Sequence, residues 1–296
     1  MSLLEKNLEK TCVIDIGSNS VRCAFFWDEK LLYKKLITSR LGEGMKDGEL
    51  HPHAIERTVD AVFNFYSLAL EEGAQTILAF ATEAVRRATN KGEFLNKVKD
   101  KTGLDVIIVE GTVEGELALS GSLGEKDGCV IDLGGASTEV AIRSNGKAIY
   151  CRSVGVGAVT LKNVCGSDKN KLTTYITQKC DEYGDIPPQN KVVAVGGTAT
   201  SIALCKLGTK VYNPKEIDGT ELTVKDLQTL ANTFEGKSAS EINALYGVDS
   251  KRAEIIFGGA LLLMEVLKRV GCDKLTVSES DNLEGFYILY KKGFIQ

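Results

Sequence analysis

Apolar residues near the start of the chain fall into three short stretches, 12–16, 21–26 and 31–38. Their length and spacing predict three successive strands in an antiparallel meander. From 53 to 70 the period becomes helical, with Ile55, Val59, Val62, Phe63, Tyr66 and Leu70 on one face. A buried strand at 76–81 follows, then an amphipathic helix at 93–101, a strand at 105–109 and a short helix at 113–120. The pattern then starts again, with strands at 129–133, 138–143 and 147–154, helical stretches, a strand at 191–195 and a helix at 199–207. A long helix over 251–270, built on Ile255, Ile256, Ala260, Leu263, Leu267 and Val270, precedes a last short strand at 275–277. A meander followed by alternating helices and strands, met twice, predicts a mixed α/β protein of two domains. The boundary is placed where glycine and charge cluster at 121–128, giving domains 1–124 and 125–296, with a terminal helix able to return to the first.

The two meanders share more than periodicity. Val13-Ile14-Asp15-Ile16-Gly17-Ser18-Asn19-Ser20-Val21 returns as Val130-Ile131-Asp132-Leu133-Gly134-Gly135-Ala136-Ser137-Thr138-Glu139. Each is a strand reaching an aspartate, then glycines and hydroxyls, then a second strand. That order predicts a hairpin whose turn offers backbone N–H groups and small hydroxyls to an anion. The aspartate before the turn suits a divalent cation shared with that anion. A single copy is commonly an ordinary turn, but recurrence in register points to two half-sites facing one phosphate. A third glycine element, Gly196-Gly197-Thr198, closes an apolar strand, and its threonine is positioned to cap the next helix, whose N-terminus adds an anion site.

Composition narrows the function classes. At 296 residues the chain is long enough for two cores, with 43% hydrophobic and 26% charged residues, as in ordinary globular proteins. A net charge of −4 argues against a nucleic-acid partner. No apolar run reaches membrane-spanning length, and the charged start 1–10 lacks a signal core, so a cytoplasmic location with no membrane partner is expected. None of the eight cysteines forms a C-x-x-C pair, and Cys12, Cys129 and Cys205 lie within apolar patterns as buried thiols. His51 and His53 flank Pro52 in a polar turn and are expected at the surface.

In order along the chain, these segments resemble the exopolyphosphatase and guanosine pentaphosphate phosphohydrolase (Ppx/GppA) family. The residues that carry the resemblance are 15–22, 39–44, Ala81-Thr82-Glu83-Ala84-Val85-Arg86, the Glu114 region, 132–139, 196–200 and Arg252-Ala253. The resemblance implies two actin-like (ribonuclease H-like) domains around a phosphate cleft, and Mg²⁺-dependent hydrolysis of terminal phosphoanhydrides. Polyphosphate or guanosine pentaphosphate is the implied substrate, and the assembly admits a homodimer. It also implies Glu114 as general base, Arg86 as a phosphate clamp and Glu139 as a second acid that positions water or metal. Phosphate would be held by Gly17, Ser18, Asn19, Ser20, Arg22, Gly134, Gly135, Ser137, Thr138, Gly196, Gly197 and Thr198. Asp15, Asp132 and Glu139 would hold the metal.

The chain departs from the family pattern at three places. The base segment is Gly111-Thr112-Val113-Glu114-Gly115-Glu116-Leu117, where the family has two acids and an arginine. Thr160 stands where the family's Gly-Ala-Val-Arg-Leu has its arginine, and Leu283 and its neighbours replace a C-terminal glycine and arginine. Those losses weaken the expectation of long-chain specificity. Two rivals remain open: an ATP-dependent small-molecule kinase of the same superfamily, and a non-catalytic regulator that binds guanosine tetra- or pentaphosphate.

Overall fold

The computed structural model describes residues 9–295, so the charged start 1–10 lies almost entirely outside the described residues. The predicted meander is β1 (Lys10–Ile16), β2 (Val21–Trp27) and β3 (Lys30–Ile37), followed by α1 (Pro52–Glu71) and β4 (Thr76–Ala81). Next come α2 (Glu83–Arg87), α3 (Lys91–Thr102), β5 (Val106–Ile108) and α4 (Gly111–Leu123). The second meander is β6 (Gly128–Leu133), β7 (Thr138–Ser144) and β8 (Lys147–Val154), then α5 (Ala158–Cys165), α6 (Lys169–Cys180), β9 (Val192–Val195) and α7 (Gly197–Leu207). The rest is α8 (Pro214–Ile217), β10 (Glu221–Thr223), α9 (Val224–Phe234), α10 (Ala239–Tyr246), α11 (Ser250–Ala253), α12 (Ile256–Arg269), β11 (Lys274–Val277) and α13 (Asn282–Lys291).

The repeat seen in the sequence is a repeat of topology. One sheet runs β3-β2-β1-β4-β5 and the other β8-β7-β6-β9-β11-β10. In each, the central strand pairs antiparallel with the next strand and parallel with the strand after the first helix. Register irregularities fall at matching places, between Phe25 and Phe26 and between Ile142 and Arg143.

Because both central strands are covered on both faces, they read as continuous apolar runs. Cys12, Ile14 and Ile16 face α1 and α3, where Ile55, Val62 and Phe94 are buried. The intervening Val13 faces α4 and α13 through Leu117, Leu283 and Phe286. In the second lobe Ile131 and Leu133 face the helical layer of Leu161, Ile202 and Leu262, while Val130 faces Ala118 and Leu119 of α4. Strand side chains alternate, so Asp15 and Asp132 share the faces of Val13 and Val130 and meet between the lobes.

Two helices cross on that shared face. α4, expected in the first domain, packs on β6, β7 and β8, whereas α13 packs on β1 and β2. Phe286 stacks on Phe80 at 4.4 Å and Tyr287 on Phe26 at 4.0 Å. The backbones touch: a Cβ on Gly121 would lie 1.9 Å from the Asp281 carbonyl oxygen, and one on Gly285 1.9 Å from that of Leu117. α4 also seats directly on β8, since a Cβ on Gly115 would lie 2.3 Å from Cys151 Sγ.

The expected helix over 251–270 is two helices, α11 and α12, with a turn at Glu254–Ile255. Arg252 is drawn to the Gly197 carbonyl while Ile256 onward enters the core, so apolar spacing continues through a break in the backbone. His51 accepts a hydrogen bond from His53 N and caps α1, with Pro52 as first helical residue. The cysteines are all free, with Cys12, Cys129 and Cys205 buried. Among the described residues no helix is long and apolar enough to cross a membrane.

Candidate active site

The two hairpin turns close identically. Gly17 N donates to Ser20 O at 3.1 Å, and Gly134 N donates to Ser137 O at 3.1 Å. Their carbonyls are held from outside: Arg40 N and Gly42 N donate to the oxygens of Asn19 and Ser18, and Ala158 N and Val159 N to those of Gly134 and Gly135. The segments 39–44 and 157–161 therefore act as braces behind the loops. Thr160, at the position of the missing arginine, belongs to that brace, with its hydroxyl donating to the Ala136 carbonyl at 3.1 Å. The loops meet across the cleft, where a Cβ on Gly135 would come within 2.8 Å of Ser18 Cβ. At the third element Gly196 occupies the cap position of α7 with φ 93°, a left-handed value that suits glycine. Thr198 lies inside the first turn and makes no cap hydrogen bond, contrary to expectation.

These loops enclose a cavity of about 90 Å³. Every predicted phosphate-binding residue lines it except Thr138, whose hydroxyl is buried on the Val156 carbonyl. Asp15, Asp132 and Glu114 line it as well. Arg86 and Glu139 stand behind. Arg86 Nη1 donates to Glu114 Oε2 at 2.9 Å and to the Val109 carbonyl, and Nη2 pairs with Glu83. Glu139 Oε1 accepts from Ser153 Oγ at 2.6 Å. Arg22 lines the cavity with its guanidinium already bridging Asp15 and Asp281, its Nε 3.0 Å from Asp15 Oδ2.

Negative charge dominates this centre. Burial, then the neighbouring Glu139, pushes the Glu114 carboxyl well above the usual range, with Arg86 opposing. Glu139 is pushed up to about 8 by burial and then Asp132. Asp132 rises to about 6, again by burial first, with Arg22 pulling against it. Burial would also raise Asp281, but Arg22 and Lys34 overcome it and hold that carboxyl low.

Sequence reasoning missed three contributors. Arg252 lines the cavity, donates to Gly197 O at 3.0 Å and Ser201 Oγ at 3.3 Å, and forms no ion pair among the described residues. The Arg252-Ala253 pair was visible in the sequence, but not the direction of the arginine. Asn282 donates from Nδ2 to Asp132 Oδ2 at 2.5 Å. Lys34 bridges Asp281 and Glu284, the latter at 2.7 Å, beside the segment that lost its arginine.

Asp15 Oδ1 is buried with no hydrogen-bond partner, a condition that costs about 1–3 kcal/mol if nothing fills it. A hard cation sharing its remaining ligands with phosphate oxygens fits such an atom. Among the described residues no three acidic, histidine or cysteine side chains are grouped as a ready-made metal centre, so Asp15, Asp132 and Glu139 do not form one alone.

A second cavity of about 460 Å³ adjoins the first, sharing Arg22, Gly196, Gly197, Ser201 and Arg252 as its wall. Leu36, Leu204, Tyr212, Pro214 and Val248 give it an apolar side.

The sequence profile described as the Ppx/GppA phosphatase family matches residues 28–290. A bifunctional 3-dehydroquinate synthase/phosphatase of Fusobacterium nucleatum is 30% identical, over 92% of this chain and 45% of that protein, so the chain spans less than half of that relative. Exopolyphosphatase 2 of Mycobacterium tuberculosis is 26% identical, over 94% of this chain and 97% of that one. The solved Ppx/GppA family member of Aquifex aeolicus superposes with a TM-score of 0.77 at 26% identity, covering 98% and 99% of the two chains.

Proposed function

The chain belongs to the Ppx/GppA phosphatase family, and from that premise we propose that it hydrolyses terminal phosphoanhydride bonds with Glu114 as general base. The observation that carries this is the convergence of three amide-bearing loops and Arg252, which has no ion-pair partner among the described residues, on a space of about 90 Å³ walled by Glu114. Phosphoryl transfer needs an aligned water and neutralised charge more than covalent chemistry. The amides of the Gly17–Ser20, Gly134–Ser137 and Gly196–Thr198 loops hold the phosphate oxygens, and Arg252 offsets their charge. Glu114 takes a proton from the attacking water, and its raised affinity for protons makes it a stronger acceptor once ionised. Mg²⁺ held by Asp15 and Asp132 supplies charge neutralisation when bound. Free cysteines throughout suit a cytoplasmic setting.

The adjoining cavity favours guanosine pentaphosphate over unadorned polyphosphate, because its apolar wall gives a base something to pack on and phosphate alone leaves it unfilled. Phosphate release is measured with Mg²⁺ over polyphosphates of graded length and guanosine pentaphosphate. Turnover of at least one, sharply reduced by Glu114→Gln, is expected. Tight nucleotide binding with no turnover of any of them points instead to a regulator. ATP consumption dependent on a sugar points to a kinase.

A further inference from the structure

Asn282 opens α13 and is 3% exposed. Its Nδ2 donates to Asp132 Oδ2 at 2.5 Å, which fixes the orientation of the amide, since only the nitrogen can face a carboxylate oxygen as donor. Oδ1 is thereby left over, and it is buried with no partner. Asn282 lines the loop-enclosed cavity, as does Asp15, whose Oδ1 is in the same condition. Two buried oxygens without a protein partner, on residues 15 and 282, thus belong to residues that line one small space. Buried polar atoms without partners are uncommon, and a bound ion is one of the things that accounts for them.

The chemistry of the pair selects the ligand. Both are hard oxygen donors, of the kind that Mg²⁺ and its analogues accept. The carboxylates do not assemble a three-ligand centre among the described residues, so a further oxygen is wanted from a side chain of another type. A neutral amide supplies it without adding to the charge of Asp15, Glu114, Asp132 and Glu139. We propose that Asn282 Oδ1 is a direct ligand of the divalent cation held by Asp15, an assignment that rests on the metal-assisted hydrolase reading above. Asn282 thereby has two roles: its nitrogen orients Asp132 and its oxygen binds the ion.

Mn²⁺ binding to the whole chain, followed by electron paramagnetic resonance without substrate and with imidodiphosphate, tests this. Wild type binds Mn²⁺, and Asn282→Ala weakens it about tenfold or more, since even outer-shell partners of metal sites matter by that much. Asn282→Asp separates the two roles. It keeps an oxygen and adds charge but removes the donor to Asp132, so affinity equal to or above wild type supports direct ligation. Affinity of Asn282→Asp as weak as that of Asn282→Ala shows that only the hydrogen bond to Asp132 matters and overturns the assignment. So does an unchanged affinity in Asn282→Ala. Circular dichroism and metal-free melting check folding, and if the alanine variant is unfolded, the aspartate variant against wild type decides. A wild-type protein that binds no Mn²⁺ also overturns the assignment. If that protein still releases phosphate, hydrolysis stands without it.

Discussion

Arg86 Nη1 lies 2.9 Å from Glu114 Oε2, and of the two only Glu114 lines the cavity. The guanidinium is also held by Glu83 and by the Val109 carbonyl. That arrangement makes Arg86 an electrostatic counterweight to Glu114, the proposed base, beside the phosphate clamp that the family resemblance implies. Arg86→Gln should raise the proton affinity of Glu114 further, moving the acid limb of the kcat–pH profile to higher pH. Activity then falls near neutrality and recovers under alkaline conditions, with KM little changed. A loss that is independent of pH and lies mainly in KM would restore the clamp.

Replacing the proposed base is the sharper test of the reaction itself. Glu114→Gln keeps the shape of the side chain and removes the proton acceptor, so kcat should drop on the order of 10²–10⁴-fold. Ligand binding and melting temperature are checked on the same preparation and should stay close to wild type. Near-normal kcat would move the role to another carboxylate.

Arg252 carries a half-buried charge with no ion-pair partner among the described residues, and desolvation holds its guanidinium below the usual range. Removing such a group leaves no orphaned anion behind. Arg252→Met should therefore leave the metal-free melting temperature unchanged or higher. A charge-assisted hydrogen bond is worth about 1.5–3 kcal/mol, so KM for the phosphate substrate should rise about 10- to 100-fold. A folded variant with wild-type KM would remove Arg252 from the substrate site.

The buried acids set the pH response of the metal-free fold. Asp132 stands at about 6 against an ordinary 3.8, and Glu139 at about 8 against 4.5. Between those values the folded chain holds protons that the unfolded chain has released. The stability they contribute is complete below about pH 4 and is lost as pH rises through 6 and 8. Asp281, shifted the other way, acts only below that window. Melting temperature without metal should decline from pH 5 to 8, and Glu139→Gln should flatten the upper part of that decline. A melting temperature that climbs over the same interval would mean that the acids are ionised and balanced in the fold.

The loops and strand-end aspartates were legible in the sequence because each is local. A strand, an aspartate and a glycine turn occupy consecutive positions, and strand alternation alone turns Asp15 and Asp132 to the inter-lobe face. The long-range partners were not. Nothing near Asn282 in sequence announces Asp132, 150 residues away, and Lys34 reaches Asp281 only because α13 packs on the first sheet. Arg252 was visible beside Ala253 as one of the family-like segments, but the turn at Glu254–Ile255 after it is hidden by apolar spacing that continues through it. Arg86 shows the converse. Its residue type suggested a phosphate contact, and its pairing with Glu114 and Glu83 behind the cavity could not be read from the sequence.

The glycine-to-carbonyl crossing of α4 and α13 bears on how the chain is put together from its halves. The first lobe takes α13 from the chain's last segment and the second takes α4 from just before its own first strand, so the link at 124–127 is not a seam between independent folding units. A fragment 1–124 leaves the Val13 and Phe80 face of its sheet without Leu283 and Phe286, and a fragment 125–296 leaves Val130 and Val193 without Ala118 and Leu119. Neither should fold when produced alone. Co-expressed as two polypeptides, they should recover each other through that crossing and rebuild the cleft, making the enzyme a split protein whose reassembly is reported by its own phosphate release.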